Sequence, residues 1–148
     1  MPDKIHLTVA SVVMKDDRYL MVREIRNGHE VYNQPAGHVE PGEAPIDAVI
    51  RETLEETAWL VRPTGVISFS TYTAPSNGVT YYRLALVCET VSFDEALVID
   101  EDIEEAVWLS YQQILEHRSQ LRSDMVLQAI EDYRAGTIYP LALLKTHR

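Results

Sequence analysis

Glu52, Glu55 and Glu56 are the residues of this chain whose types and spacing most directly suggest chemistry. They belong to the run Arg51-Glu52-Thr53-Leu54-Glu55-Glu56, inside a stretch that otherwise reads as an amphipathic helix. At about 100° per residue the three carboxylates fall within roughly one third of the circumference. Ile46, Val49, Ile50, Thr53 and Leu54 take the broad opposite side. Three like charges on one face repel unless water solvates them or a cation shares them. A solvated face is the ordinary fate of helical glutamates. The chemical alternative is a hard cation, Mg²⁺ or Mn²⁺, which takes carboxylate oxygens as ligands. The triplet alone favours the solvated face.

A helix must hold these acids, and the chain offers signals for its start. Pro45 suits a first helical turn, while Glu43 and Asp47 place negative charge near the positive end of the dipole. Arg51 projects some way round from the acidic face, within reach of Glu55 at i,i+4 or Glu43 across the preceding loop. An ordinary surface pair with Asp47 or Glu55 would add only a few tenths of a kcal/mol. Upstream, the β-branched run Ile5 to Met14 and then Tyr19 to Arg23 read as a hairpin around Lys15-Asp16-Asp17-Arg18. Pro35 ends regular pairing, and Gly37 supplies backbone freedom just before the helix.

Downstream, Val66 to Tyr72 and Val79 to Glu89 read as strands joined by Ala74-Pro75-Ser76-Asn77-Gly78. The stretch from Asp94 to Glu105 then holds seven carboxylates among twelve residues and leads into a short strand, Ala106 to Leu109. Ser110-Tyr111-Gln112-Gln113 has the form of a capping box opening a short helix to about His117. Ser123 caps a longer helix to Arg134, with Met125, Val126, Ala129, Ile130 and Tyr133 as its apolar stripe, and Gly136 is a natural stop. Strands on both sides of a helix, with helices again at the end, indicate an α+β or α/β/α layered domain spanning residues 1–148.

Composition narrows the partners. With 46% hydrophobic and 24% charged residues, the chain has the makeup of a soluble globular domain. A formal charge of −10 argues against a nucleic-acid polymer, which calls for a basic footprint. The same charge repels a free nucleotide, so a phosphorylated small molecule needs cations at its site. Cys88 is the single cysteine and lies in an apolar run, which rules out an intramolecular disulfide and reads as a small buried hydrophobe. The sequence shows no signal-peptide layout and no stretch of about 20 apolar residues that would span a membrane. The expected setting is a reducing cytoplasm, as a monomer or small homo-oligomer.

Gly37, Glu43, Arg51, Glu52, Glu55 and Glu56 together stand at the spacing G-x5-E-x7-R-E-x2-E-E, six constrained positions over twenty residues. That spacing resembles the signature of the Nudix hydrolase family. Two positions depart from it: Thr53 stands where an aliphatic residue is usual, and Ala58 where a glycine is usual. Thr53 is expected to bond back to the carbonyl of Val49. Ala58 leaves the helix without its glycine stop, so the helix is expected to run on or turn differently. Outside the signature, Tyr32-Asn33-Gln34-Pro35-Ala36-Gly37-His38, Leu121-Arg122-Ser123 and Tyr139-Pro140-Leu141 resemble a bacterial phosphatase branch of the same family. The resemblance therefore extends over nearly the whole chain, least in the middle strands and the acidic loop.

The resemblance implies an α/β/α sandwich around a central mixed sheet, with the signature as loop-helix-loop. It implies Mg²⁺, or Mn²⁺, held by Glu52, Glu55, Glu56 and the carbonyl of Gly37, with Arg51 orienting the carboxylates. It also implies hydrolysis of phosphoanhydride bonds in nucleoside tri- and diphosphates and in thiamine-pathway pyrophosphates (hydroxymethylpyrimidine pyrophosphate, thiamine pyrophosphate), releasing phosphate. The general base is either a signature glutamate or a carboxylate from a later loop, for which Asp102 and Glu105 are the candidates beside Glu104. Arg23 and Arg83, on predicted strands, and His38 are candidate phosphate contacts. Each has an ordinary reading as a solvent-facing or structural residue. Tyr32, Tyr72, Tyr82 and Trp108 could stack on a ring, although core packing is the commoner use of aromatics. Alternatives are cleavage of ADP-ribose or dinucleoside polyphosphates, and a non-catalytic binding module. The latter would be expected to lack a signature carboxylate, and all three are present.

Overall fold

The computed structural model describes residues 4–147. Eight strands form one mixed sheet: β1 (Ile5–Lys15), β2 (Arg18–Arg26), β3 (His29–Asn33), β4 (Ala36–His38), β5 (Trp59–Thr73), β6 (Thr80–Phe93), β7 (Glu105–Ser110) and β8 (Tyr139–Pro140). The main path runs β3-β2-β1-β6-β5-β8, with β4 paired to β1 and β7 paired to β2. Among these strands β1 and β6 run parallel and the other pairings are antiparallel.

Alternation along β1 separates two cores. Val9 and Val13 join Leu84, Leu86 and Cys88 against α1 (Pro45–Thr57), through Ala48 and Val49. Val12 points the other way and joins Ala85 and Ile67 against Ile114 of α2 (Tyr111–Glu116) and Val126, Ala129 and Ile130 of α3 (Asp124–Arg134). The sheet is thus covered by helices on both faces, the expected α/β/α sandwich. Val49 and Ile130 are fully buried, each stabilising the fold by roughly 2 kcal/mol through lost apolar exposure.

The predicted caps are present. Ser110 Oγ accepts from Gln113 N while Ser110 N–H donates back to Gln113 Oε1, and Ser123 accepts from Met125 N. Three local expectations are corrected. Thr53 does not bond to Val49; its hydroxyl meets Ser11 Oγ of β1 at 2.9 Å, so the polar residue on the apolar side of α1 has a buried polar partner. Ala58 takes the glycine's place by adopting the left-handed conformation itself, at φ 65°, and its N–H bonds Leu54 O. That geometry costs a non-glycine residue about 1 kcal/mol. Gly37 is not in that region; it lies in β4, which starts directly after Pro35, and is paired with Val9. The strand predicted from Val66 also begins earlier, at Trp59, because register shifts around Pro63 and Gly65 accommodate the proline within the pairing.

Candidate active site

α1 brings its acids to one place by helical spacing, and Arg51 fixes their direction. Its guanidinium donates to both carboxylate oxygens of Glu43, at 2.8 and 2.9 Å, to Glu52 at 2.8 Å, to Glu55 at 3.3 Å and to the His38 carbonyl at 3.1 Å. The predicted pairing partners, Glu43 and Glu55, are therefore both engaged. Charge-assisted bonds from Arg51 hold the Glu43 carboxyl below the usual range, and Glu43 in turn holds the Arg51 guanidinium firmly protonated. Glu52 is pushed upward, burial outweighing its bond to Arg51.

Gly37 stands against this cluster for a steric reason. A Cβ at that position would collide with the Glu52 carboxyl group, so glycine serves here for close approach rather than for an unusual φ, and a larger residue would require the Glu52 carboxyl to move. Beside it, the backbone N–H of Ala36 donates to Glu56 at 2.9 Å. Burial raises Glu56 to about 8, and the charges of Glu52, Glu24 and Asp100 add to the shift. Such a carboxylate needs either a proton or a cation to be comfortable near neutrality.

One oxygen each from Glu52, Glu55 and Asp100 lie within 4.8 Å of one another. The set is all carboxylate, with neither thiol nor imidazole, which fits a hard divalent cation. Asp100 was not among the residues singled out by sequence, and nothing in its spacing separates it from the other acids of its loop. Its position comes from three latches: Asp94 N donates to Ala58 O, Asp100 N to Glu55 O, and Glu104 N to Arg23 O, each at 2.9 Å. Ile103, buried among exposed neighbours, pins the loop between them.

A cleft of about 460 Å³ lies beside this cluster and shares Asp100 with it. Gly37, Glu56, Asp100 and Asp102 line one part, and Arg83, Arg26 and Arg122 another. His38 also lines it and bonds His6 Nδ1 at 2.9 Å; partial desolvation, then the His6 charge, holds its ring below the usual histidine range. Arg83 is buried in β6, not solvent-facing, and burial lowers it to about 10. Arg23 and Glu105 pair with each other across β2 and β7 at 3.2 Å, and neither lines the cleft. Tyr72 lines it, whereas Tyr32 is buried with the α3 core, Tyr82 packs near Phe69 and Trp108 stands edge-on to Trp59. No helix among the described residues is long and apolar enough to cross a membrane.

Residues 4–129 match the family model of the NUDIX domain. Phosphatase NudJ of Escherichia coli K12 is 36% identical over 141 residues, 95% of this chain and 91% of that protein. The solved structure of a NUDIX hydrolase from Nitrosomonas europaea superposes with a TM-score of 0.93 at 43% identity, covering 96% of this chain and 97% of that one. The solution structure of the E. coli ORF135 protein shares the fold at a TM-score of 0.70 and 20% identity, over 89% of this chain and 92% of its own. A domain match over most of the length, a 36% identical relative across 95% of it and a site built on the signature helix have one conclusion: this chain is an enzyme of the Nudix hydrolase family.

Proposed function

We propose that this enzyme is an Mg²⁺-dependent phosphatase that cuts phosphoanhydride bonds in nucleoside tri- and diphosphates and in thiamine-pathway pyrophosphates, hydroxymethylpyrimidine pyrophosphate and thiamine pyrophosphate, releasing orthophosphate. The observation that carries the reading is the Glu52–Glu55–Asp100 oxygen cluster, whose Asp100 also lines a cleft together with Arg26, Arg83 and Arg122. The phosphatase relative supports phosphate release rather than another Nudix outcome. On this reading residues 1–148 act as one catalytic domain in a reducing cytoplasm, where Cys88 stays buried and unpaired.

Glu52, Glu55 and Asp100, with Glu56 and the Gly37 carbonyl beside them, would hold the divalent ion. Such an ion supplies positive charge at phosphoryl oxygens and lowers the pKa of water. Arg51 keeps Glu52 and Glu55 aimed at one volume. Glu55, with 43% of its side chain exposed, is open to water and is assigned the general base, receiving the proton of the attacking water. Asp102, on the cleft wall, is the second candidate; Glu105 is engaged with Arg23. Arg83 and His38, both lining the cleft, are assigned to the substrate, whereas Arg23 is paired with Glu30 and Glu105 outside the lining and is given no contact with it.

The test is a phosphate-release screen over nucleotides, thiamine pyrophosphate and its pyrimidine precursor, with Mg²⁺ and with EDTA. Free orthophosphate should be the first product, and EDTA should abolish it. Glu55→Gln should lower turnover about a thousandfold, equivalent to roughly 4 kcal/mol, with unchanged circular dichroism. Release of AMP from ADP-ribose without free phosphate would overturn the reading, and full activity in Glu55→Gln would overturn the assigned base.

A further inference from the structure

The floor of the cleft holds a positive charge that the protein itself does not neutralise. Arg83 lies in β6, paired across to Thr8 of β1, and is only 6% exposed. Its Nη2 donates to Asn33 Oδ1 at 3.0 Å and to Gln34 Oε1 at 2.9 Å, and its Nη1 to the Met125 carbonyl at 3.4 Å. All three acceptors are neutral. Gln34, itself buried, donates through Nε2 to the Val126 carbonyl at 2.7 Å, which obliges its amide oxygen to face Arg83. Among the described residues no carboxylate forms a salt bridge with Arg83. The charged side chain that bears on it is another arginine, Arg122.

Burying a guanidinium without an anion is costly. This chain is not short of anions: it carries 23 acids against 13 Lys and Arg. Of the acids lining the cleft, Glu24 pairs with Arg26 at 3.5 Å and Arg122 at 3.4 Å, Glu56 accepts from Ala36 N, Asp100 belongs to the carboxylate cluster, and Asp102 forms no salt bridge with Arg83. A guanidinium has five N–H donors, and three are satisfied here, which leaves two for an incoming acceptor.

The strand register places that vacant valence usefully. Thr8 pairs with His38 of β4 on one side and with Arg83 of β6 on the other. The backbones of His38 and Arg83 therefore stand about 10 Å apart, two strand spacings. Gly37 is next in β4, against Glu52. A chain of two or three phosphates laid across β1 can have one phosphate at the acidic cluster and another within reach of the long Arg83 side chain.

We infer that Arg83, with Arg122 beside it, is a fixed anchor for the phosphate of the substrate that is not under attack. The inference rests on the phosphoanhydride reading of the cleft and adds the residue that grips the uncut phosphate. Inorganic pyrophosphate is then the smallest ligand, and it should bind without any metal.

The experiment titrates inorganic pyrophosphate and orthophosphate into the full chain in EDTA by calorimetry, for the wild type, Arg83→Met, Arg83→Lys and Arg122→Gln. Pyrophosphate should bind the wild type more tightly than orthophosphate does. Arg83→Met should weaken it by about tenfold or more, the usual worth of a bond between charged partners. Arg83→Lys should weaken it severalfold, because an ammonium cannot reach the amide oxygens and a phosphate together. Arg122→Gln should have the smallest effect. With Mg²⁺ present, Arg83→Lys should raise KM and spare kcat. Undiminished pyrophosphate binding in a cooperatively folding Arg83→Met overturns the inference. Should that variant fail to fold, unchanged binding and KM in Arg83→Lys overturn it instead. Absence of metal-free binding in a wild type that still releases phosphate sinks the anchor and spares the proposed function; binding without any phosphoanhydride turnover does the reverse.

Discussion

Arg51 and Arg83 carry the same charge in opposite surroundings. Arg51 is wrapped by Glu43, Glu52 and Glu55, so it spends its donors on organising acids. Arg83 is held by two amide oxygens and a backbone carbonyl, and its charge is left unmatched. Around Arg51 the excess is negative and calls for a cation; around Arg83 it is positive and calls for an anion. On the proposed function, the difference is how a strongly acidic protein would receive a polyphosphate: a cation held at the carboxylates and an unmatched arginine across strand β1.

Gly37→Ala should break the acidic side alone. A Cβ there collides with the Glu52 carboxyl, displacing a cluster oxygen. Metal affinity, by titration, and kcat/KM should each fall about 10- to 100-fold, while metal-free pyrophosphate binding at Arg83 stays unchanged. Loss of both together would mean that the two sides are not separable.

A smaller effect is the pH dependence of metal-free stability. Glu56 has a folded pKa near 8 against an ordinary 4.5, so between those values the folded state keeps a proton that the unfolded chain has released. Stability should therefore fall as pH rises through about 4.5 to 8 and level off above. The upward shift of Glu52 acts in the same sense, and the downward shift of Glu43 acts in the opposite sense below that window. Urea unfolding in EDTA should show the slope, Glu56→Gln should flatten it, and Mg²⁺ should reduce it. Arg83, at about 10, stays charged throughout and contributes no slope. A slope unchanged in Glu56→Gln would assign it to another group.

The smallest expected effect lies in the joint between the two sides, the Ser11–Thr53 bond from β1 to α1. Ser11→Ala or Thr53→Val should each cost about 1–2 kcal/mol by chemical denaturation, because each strands a buried hydroxyl or its partner. The double variant should cost less than the sum. Strict additivity would show that the two hydroxyls do not depend on each other.

Much of the acidic side is legible in the linear chain. Glu52, Glu55 and Glu56 share a face because the helix repeats every 3.6 residues, and Arg51 and Glu43 lie within a few residues of them. The caps at Ser110 and Ser123 are equally local. Asp100 is different: seven acids crowd its loop, and it is chosen by a backbone bond to Glu55 and by the burial of Ile103. The basic floor is less legible still. Asn33, Gln34, Arg83 and Met125 come from distant parts of the chain, and an arginine in a strand reads equally as a surface residue.

The signature helix, its acidic face and the layered class of the fold follow from the linear chain, because they rest on periodicity and on contacts within a turn or two. The tertiary structure alone decided that β1 lies parallel to β6 with β4 on its other flank, that Ala58 bears the left-handed turn, and that Asp100 joins the glutamates. It also placed Arg83 on the cleft floor without a carboxylate. Those outcomes depend on which faces pack together across long stretches of chain, a choice settled by burial of two separate cores rather than by any local pattern.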